Sequence, residues 1–180
     1  MGNRRQWYLL VICVFIGVLS VFAAEPITAE KVVILPTATT ERHVELGTYV
    51  ERRLAEPFRY PYYEITNGPQ TTMPFTRHDF AAVAKTYDAD IVIGSELVRL
   101  AQFTRTDWNG DWWTTTFGEL RVYAYYRPND EMQVWQSTYN DTAEESVLNT
   151  PQAVVKEITD RALAEFPYRR IPTHRPRVSA

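Results

Sequence analysis

One cysteine in 180 residues, Cys13, excludes a disulfide scaffold and a cysteine-ligated zinc module together. The three histidines, His43, His78 and His174, fall in unrelated contexts: a first helix, the start of a second and a terminal stretch. A metal centre needs converging ligands, commonly with one close pair at helical or turn spacing, so no metal site is expected. Glycine is scarce as well. Gly47, Gly68, Gly94, Gly110 and Gly118 stand isolated, which leaves no glycine-rich loop to cradle a phosphate and no cofactor site. Positive charge is in short supply, 19 Lys and Arg against 22 Asp and Glu, so no basic face neutralises a phosphate backbone and nucleic acid is excluded as a partner. There is no repeat period and no low-complexity tract.

Only one long apolar run is present, from Trp7 to Phe22, preceded by Arg4 and Arg5, and this is the pattern of an export signal. Val21 and Ala23 place small residues where a signal peptidase needs them, so cleavage is expected after Ala23, with residues 1–23 as signal peptide. A rival reading is an uncleaved anchor, because Trp7–Ala24 carries no charge over 18 residues, just enough to span a hydrocarbon core. Membrane proximity through residues 7–24 follows from the anchor reading. Cys13 is not a lipidation site, since Ile12 precedes it where a small residue is needed and most of the apolar run follows it. Cleavage leaves 157 residues without cysteine, with 17 basic and 22 acidic side chains. The exported part is then expected to form one domain over 24–167, stabilised by burial alone. Residues 168–180, with Arg169, Arg170, His174, Arg175 and Arg177 broken by Pro172 and Pro176, read as a basic extended tail.

Lys31–Pro36 reads as a strand buried on both faces. Thr40 is placed to cap a helix starting at Glu41, in which Leu46, Val50 and Leu54 share a face and which Pro57 stops. Tyr60–Ile65, interrupted by Pro61, reads as an edge strand, and residues 66–75 as loop. Thr76 and Asp79 form a capping arrangement for a second helix through Phe80, Ala84 and Tyr87. The change to β-branched residues at Asp88–Gly94 marks the central strand. Two successive β-α-β passages imply parallel strands.

From Glu96 the period becomes two, Asn109-Gly110 signals a hairpin, and Arg127–Asp130 turns the chain into Met132–Tyr139. Leu120, Val122, Ala124 and Tyr126 occupy one face of the middle strand, with Arg121, Tyr123 and Tyr125 on the other. Asn140–Asn149 reads as a polar linker, and Thr150-Pro151 opens a last helix lined by Val155, Ile158, Ala162 and Phe166. The expected fold class is thus α/β: a single mixed sheet, in the order strand-helix-strand-helix-strand-strand-strand-helix, covered by helices, with an antiparallel meander in its second half.

The Lys31-Val32-Val33-Ile34-Leu35-Pro36 strand soon after an export signal, a threonine-rich turn, and Tyr87-Asp88-Ala89-Asp90-Ile91-Val92-Ile93-Gly94-Ser95-Glu96 before a meander carry a resemblance. The chain resembles the envelope domain group of the TolB amino-terminal domain, the curli-secretion lipoprotein and the penicillin-binding-protein activator lipoprotein, over roughly residues 31–166. That resemblance implies a non-enzymatic protein of the bacterial periplasm or cell envelope that docks onto an envelope protein or cell-wall polymer. Two departures stand out: the lipid-bearing cysteine is missing, and Thr37-Ala38-Thr39-Thr40 replaces the asparagine-containing turn after the first strand.

No catalytic residue is assigned. Ser95 follows Gly94 but has Leu97 where a nucleophile elbow needs a small residue. Glu41, Glu45 and Glu64, or Asp88 and Asp90, are the carboxylates a cell-wall glycan hydrolase would pair. Asp88 and Asp90 fit a helix-to-strand turn more simply, because aspartate tolerates unusual backbone angles. The surface expected to meet a partner is aromatic: Trp108, Trp112 and Trp113 around the Asn109-Gly110 turn, with Tyr123, Tyr125 and Trp135 on a nearby sheet face. The competing reading folds these rings back across the strands. An accessory subunit of an envelope transport or secretion complex is a third reading.

Overall fold

A computed structural model describes residues 28–70, 73–143 and 150–172. The apolar leader, its expected cleavage point, residues 144–149 of the expected linker and the tail from residue 173 onward lie outside the described residues. Val32 and Ile34 of the first strand, β1 (Glu30–Ile34), enter one core while Val33 and the following Leu35 enter another, so the unbroken apolar run reflects burial on both faces. A 3-10 turn, Glu41–His43, and helix α1 (Val44–Ala55) follow, then β2 (Tyr63–Asn67) and α2 (Arg77–Thr86). Three long strands come next, β3 (Ile91–Thr106), β4 (Trp112–Tyr126) and β5 (Glu131–Ala143), before helix α3 (Pro151–Glu165). The sheet order is β2-β1-β3-β4-β5, with β1 parallel to β2 and β3 and an antiparallel meander through β3, β4 and β5. The α/β class and the expected element order are both present.

One face is covered by α1 and α3, where Val50, Leu54, Val155, Ile158 and Ala162 meet Ile91, Ile93, Leu120 and Val122. The other is covered by α2, whose Phe80 and Ala84 pack on Val33, Val92, Tyr123 and Tyr125. At Gly94 and Gly118 a helix approaches the sheet closely: a Cβ would lie 2.7 Å from the Phe80 ring at the first and 2.6 Å from Val154 at the second. Beyond the bulge between Leu97 and Arg99, β3 no longer has β1 beside it. The meander therefore rises past the parallel half of the sheet by roughly 30 Å, at about 3.3 Å per residue over Leu97–Thr106.

Four boundaries differ from expectation. The α-helix begins at Val44 instead of Glu41, because the Thr40 carbonyl is taken by the His43 N–H in a 3-10 bond of 2.9 Å and the Thr40 side chain makes no capping bond. The edge strand begins only at Tyr63, past Pro61, and runs through Thr66 and Asn67. The polar residues Asn140–Ala143 continue β5 because β4 extends beside them, pairing Thr114 with Ala143 and bonding Thr115 to Thr142 across the strands at 2.9 Å. At the other end, Tyr168 packs on Phe58 and Phe166, with ring centroids 5.2 Å from each, so the packed body extends one residue into the expected tail.

The capping of α2 is as expected: the Thr76 hydroxyl accepts from the Asp79 N–H while the Asp79 carboxylate accepts from the Thr76 N–H. The Thr76 hydrogen bonds hold the Asp79 carboxyl below its ordinary range. Lys156, and then Arg53 against the opposing effect of burial, do the same for Asp160. Both groups release protons more readily folded than unfolded, so their stabilisation is full above the unfolded value of about 3.9 and is lost as pH falls through the folded values. Urea midpoints measured from pH 6 downward should fall below about pH 4, and Asp79→Asn with Asp160→Asn should flatten that fall.

Candidate functional site

The Asn109-Gly110 pair does form a hairpin, with a wider loop than a two-residue turn. Thr106 pairs with Trp112, the Gly110 N–H donates to the Asp107 carbonyl at 3.1 Å, and Gly110 alone takes the positive φ, +89°. Asp107 organises the loop, its Oδ1 accepting from the backbone N–H groups of Asn109 at 2.8 Å and Asp111 at 3.0 Å. Burial opposes ionisation of Asp107, but these backbone donors, with the Trp113 indole N–H, outweigh it and hold the carboxyl below its ordinary range.

This local order decides which indoles face water. Trp113, bonded to Asp107, is half-buried, whereas Trp108 is 93 % exposed and Trp112 65 % exposed. Phe103 extends the aromatic surface down β3, its ring edge-on to Phe117 at 6.0 Å, and the Arg99 guanidinium sits 4.7 Å over Phe117 on the same arm.

The other expected surface residues are placed elsewhere. Tyr123 and Tyr125 are core residues, 8 % and 3 % exposed, because α2 covers their face of β4. Tyr123 meets Phe75 at 5.2 Å and donates to Glu96 at 3.1 Å, and Tyr125 donates to Asp130 at 3.0 Å. Trp135 is half-buried against Phe166, centroids 5.4 Å apart. Of the six aromatic residues expected at the surface, the exposed ones are thus confined to the hairpin arm. Phe103 was not singled out by the sequence reading; its place four residues before the turn was the available signal.

The Glu41 side chain lies outside the described residues, and among the others the carboxylates considered for glycan hydrolysis are not brought together as a pair free for acid–base work. Asp88, at φ 49°, makes the expected helix-to-strand turn and binds Lys31 at 2.9 Å and Arg127 at 3.0 Å. Those cations, Lys31 first, hold its carboxyl below the ordinary range, the wrong direction for a general acid. Asp90 accepts from Arg127 at 3.3 Å and from the Lys31 N–H at 3.2 Å. Glu45 and Glu64 are exposed on α1 and β2. Ser95 is fully buried and its hydroxyl bonds that of Thr37 at 2.8 Å.

A crevice of about 710 Å³ lies beside the carboxyl end of β1, lined by Thr37, Thr39, Thr40, Thr48, Glu51 and Glu96 among others. Glu51 there accepts from the Thr37 N–H, and Glu96 from the Tyr123 hydroxyl. Among the described residues no three His, Cys, Asp or Glu converge as metal ligands, and no helix is long and apolar enough to cross a membrane.

The fold and arm define a mixed α/β domain carrying an aromatic hairpin. No protein-family model and no curated protein matches the chain. Solved structures similar to it include the PelC dodecamer of Paraburkholderia phytofirmans, 13 % identical, covering 78 % of this chain and 89 % of that one, with a TM-score of 0.45. The C-terminal domain of LpoB from Escherichia coli is 15 % identical, covering 69 % and 91 %, with a TM-score of 0.36. TolB of Acinetobacter baumannii, named in the sequence resemblance, is 14 % identical, covering 78 % of this chain and 30 % of its own, at a TM-score of 0.36. These are likenesses of fold, and no function is carried over from them.

Proposed function

We propose that this chain is an exported module of the bacterial cell envelope that binds an envelope protein or cell-wall polymer through the tip of its β3–β4 hairpin. The observation that carries the reading is the exposure of Trp108 and Trp112 on an arm raised clear of both cores. Indole joins a large apolar face to an N–H donor, and rings left in water at a tip held by Asp107 contribute nothing to the packing below. The leader at Arg4–Ala23 supports export, and the sequence resemblance supports the envelope as destination. The role is recognition, not turnover: among the described acids that a hydrolase would use, Asp88 and Asp90 are tied to cations and Glu45 and Glu64 stand on separate elements.

Trp108→Ala with Trp112→Ala should abolish capture of envelope partners in a pull-down while the circular dichroism spectrum stays that of the parent. Unchanged capture removes the site, and turnover of peptidoglycan fragments by the folded protein would replace binding with hydrolysis.

A further inference from the structure

The two edges of the sheet are built differently. β2 is five residues long, with Pro61 before it and Gly68-Pro69 after it, features that discourage another strand from pairing. β5 is thirteen residues long and pairs with β4 in unbroken register from Tyr126–Glu131 to Thr114–Ala143. From Met132 to Asn140 it holds no charge, no proline and no glycine, so the devices that usually blunt an edge are missing.

Which backbone groups face outward is fixed by the hairpin. The Asp107 N–H donates to the Asp111 carbonyl, so odd-numbered residues of β4 bond to β3 and even-numbered ones to β5. The β4–β5 register then turns the odd residues of β5 inward and leaves Met132, Val134, Gln136, Thr138, Asn140 and Thr142 facing out. The Thr138 carbonyl agrees: it accepts from the Arg161 guanidinium at 2.9 Å.

A second observation lies at the middle of this strand. Ser137 is 6 % exposed, and its hydroxyl has no hydrogen-bond partner among the described residues. A buried hydroxyl without a partner is costly, and one beside an open strand edge is satisfied by a group arriving along that edge.

We propose that β5 pairs antiparallel with β5 of a second copy, about a two-fold axis at Ser137. This register sets Gln136 opposite Thr138, Val134 opposite Asn140 and Met132 opposite Thr142 of the other chain, and the outward N–H and C=O groups meet in order. The two Ser137 residues form a non-hydrogen-bonded pair, Cα atoms about 4.5 Å apart, which brings their hydroxyls into mutual reach. Trp135 faces Tyr139 across the seam. Glu131 falls opposite Ala143 and Asp141 opposite Gln133, so no like charges are opposed, whereas a register centred on Gln136 would set Glu131 against Asp141. Arg161, which also pairs with Glu157 and is half exposed, yields or shares the Thr138 carbonyl. The pairing places the two indole tips at opposite ends of a continuous sheet, an arrangement for the exported chain released from its leader.

The test uses the exported chain with Cys13→Ser, so that an introduced thiol is unique whether or not the leader remains. At ~100 μM, light scattering should give about twice the chain mass, and oxidation of Ser137→Cys should give a disulfide-linked dimer, because that Cα separation suits a disulfide. Gln133→Cys, facing Asp141 of the other copy, should not crosslink. Thr138→Pro removes an outward N–H that β4 does not use and should weaken association roughly tenfold with the fold retained. A single-chain mass at that concentration without crosslinking at Ser137→Cys overturns the proposal, as does a dimer that Thr138→Pro leaves unchanged.

Discussion

Replacing Phe166 with alanine should lower the free energy of unfolding by about 3–5 kcal/mol, among the largest losses a single substitution in this chain produces. Phe166 is 1 % exposed and joins three elements: its ring lies 6.1 Å from Phe58, 5.4 Å from Trp135 and 5.2 Å from Tyr168. Truncation leaves a cavity under the end of α3 that the three rings around it, Phe58, Trp135 and Tyr168, cannot close without leaving their packed positions. For a domain whose whole stability is typically 5–15 kcal/mol, a loss of this size shifts the urea midpoint by a large fraction of its value. A loss under about 1 kcal/mol would mean that Tyr168 and Pro167 collapse into the space.

The second large effect lies on the opposite face. Phe80→Ala should cost about 3–5 kcal/mol, because the ring is fully buried between Phe75, at 5.5 Å, and the sheet. Gly94→Ala alone should cost about 1–3 kcal/mol, since its methyl would stand 2.7 Å from the Phe80 ring. Combined, the added methyl enters the volume the ring vacates. The double variant should therefore be more stable than the sum of the two losses predicts, by about 1 kcal/mol in a double-mutant cycle from denaturant titrations. Strict additivity would show that helix α2 closes onto the sheet when the ring is lost and leaves the methyl no space.

These two sites explain why the fold was legible and the surface only partly so. Alternation within β4 places Leu120, Val122 and Ala124 on one side and Tyr123 and Tyr125 on the other, and the strand pattern shows that division. It does not show which side meets water. Tyrosines opposite an apolar row read as an exposed face, yet Gly94 and Phe80 let α2 lie close enough to bury them. That contact is tertiary, between residues far apart along the strand and helix, and no local period records it. The Thr76–Asp79 cap and the Asn109-Gly110 hairpin were readable because their hydrogen bonds close within a few residues. The last four residues of β5 were not, since Asn140-Asp141-Thr142 is polar and becomes strand only because β4 runs alongside. Trp108 and Trp112 belong to the first kind, local turn residues whose exposure follows from the hairpin itself.

The bulge between Leu97 and Arg99 marks a division of labour in the molecule. Below it, nearly every inward side chain of β3 and β4 is committed to one of the two cores. Above it, once Leu100 and Gly118 have met the core under α3, the ladder between β3 and β4 is held by backbone pairing, the Phe103–Phe117 contact and threonine hydroxyls such as Thr104 with Thr114. Residues 103–113 can thus be exchanged like a cassette, altering what is grasped while the folding machinery beneath stays as it is. Affinity and foldability are written in separate stretches of the chain, and selection can tune one without endangering the other.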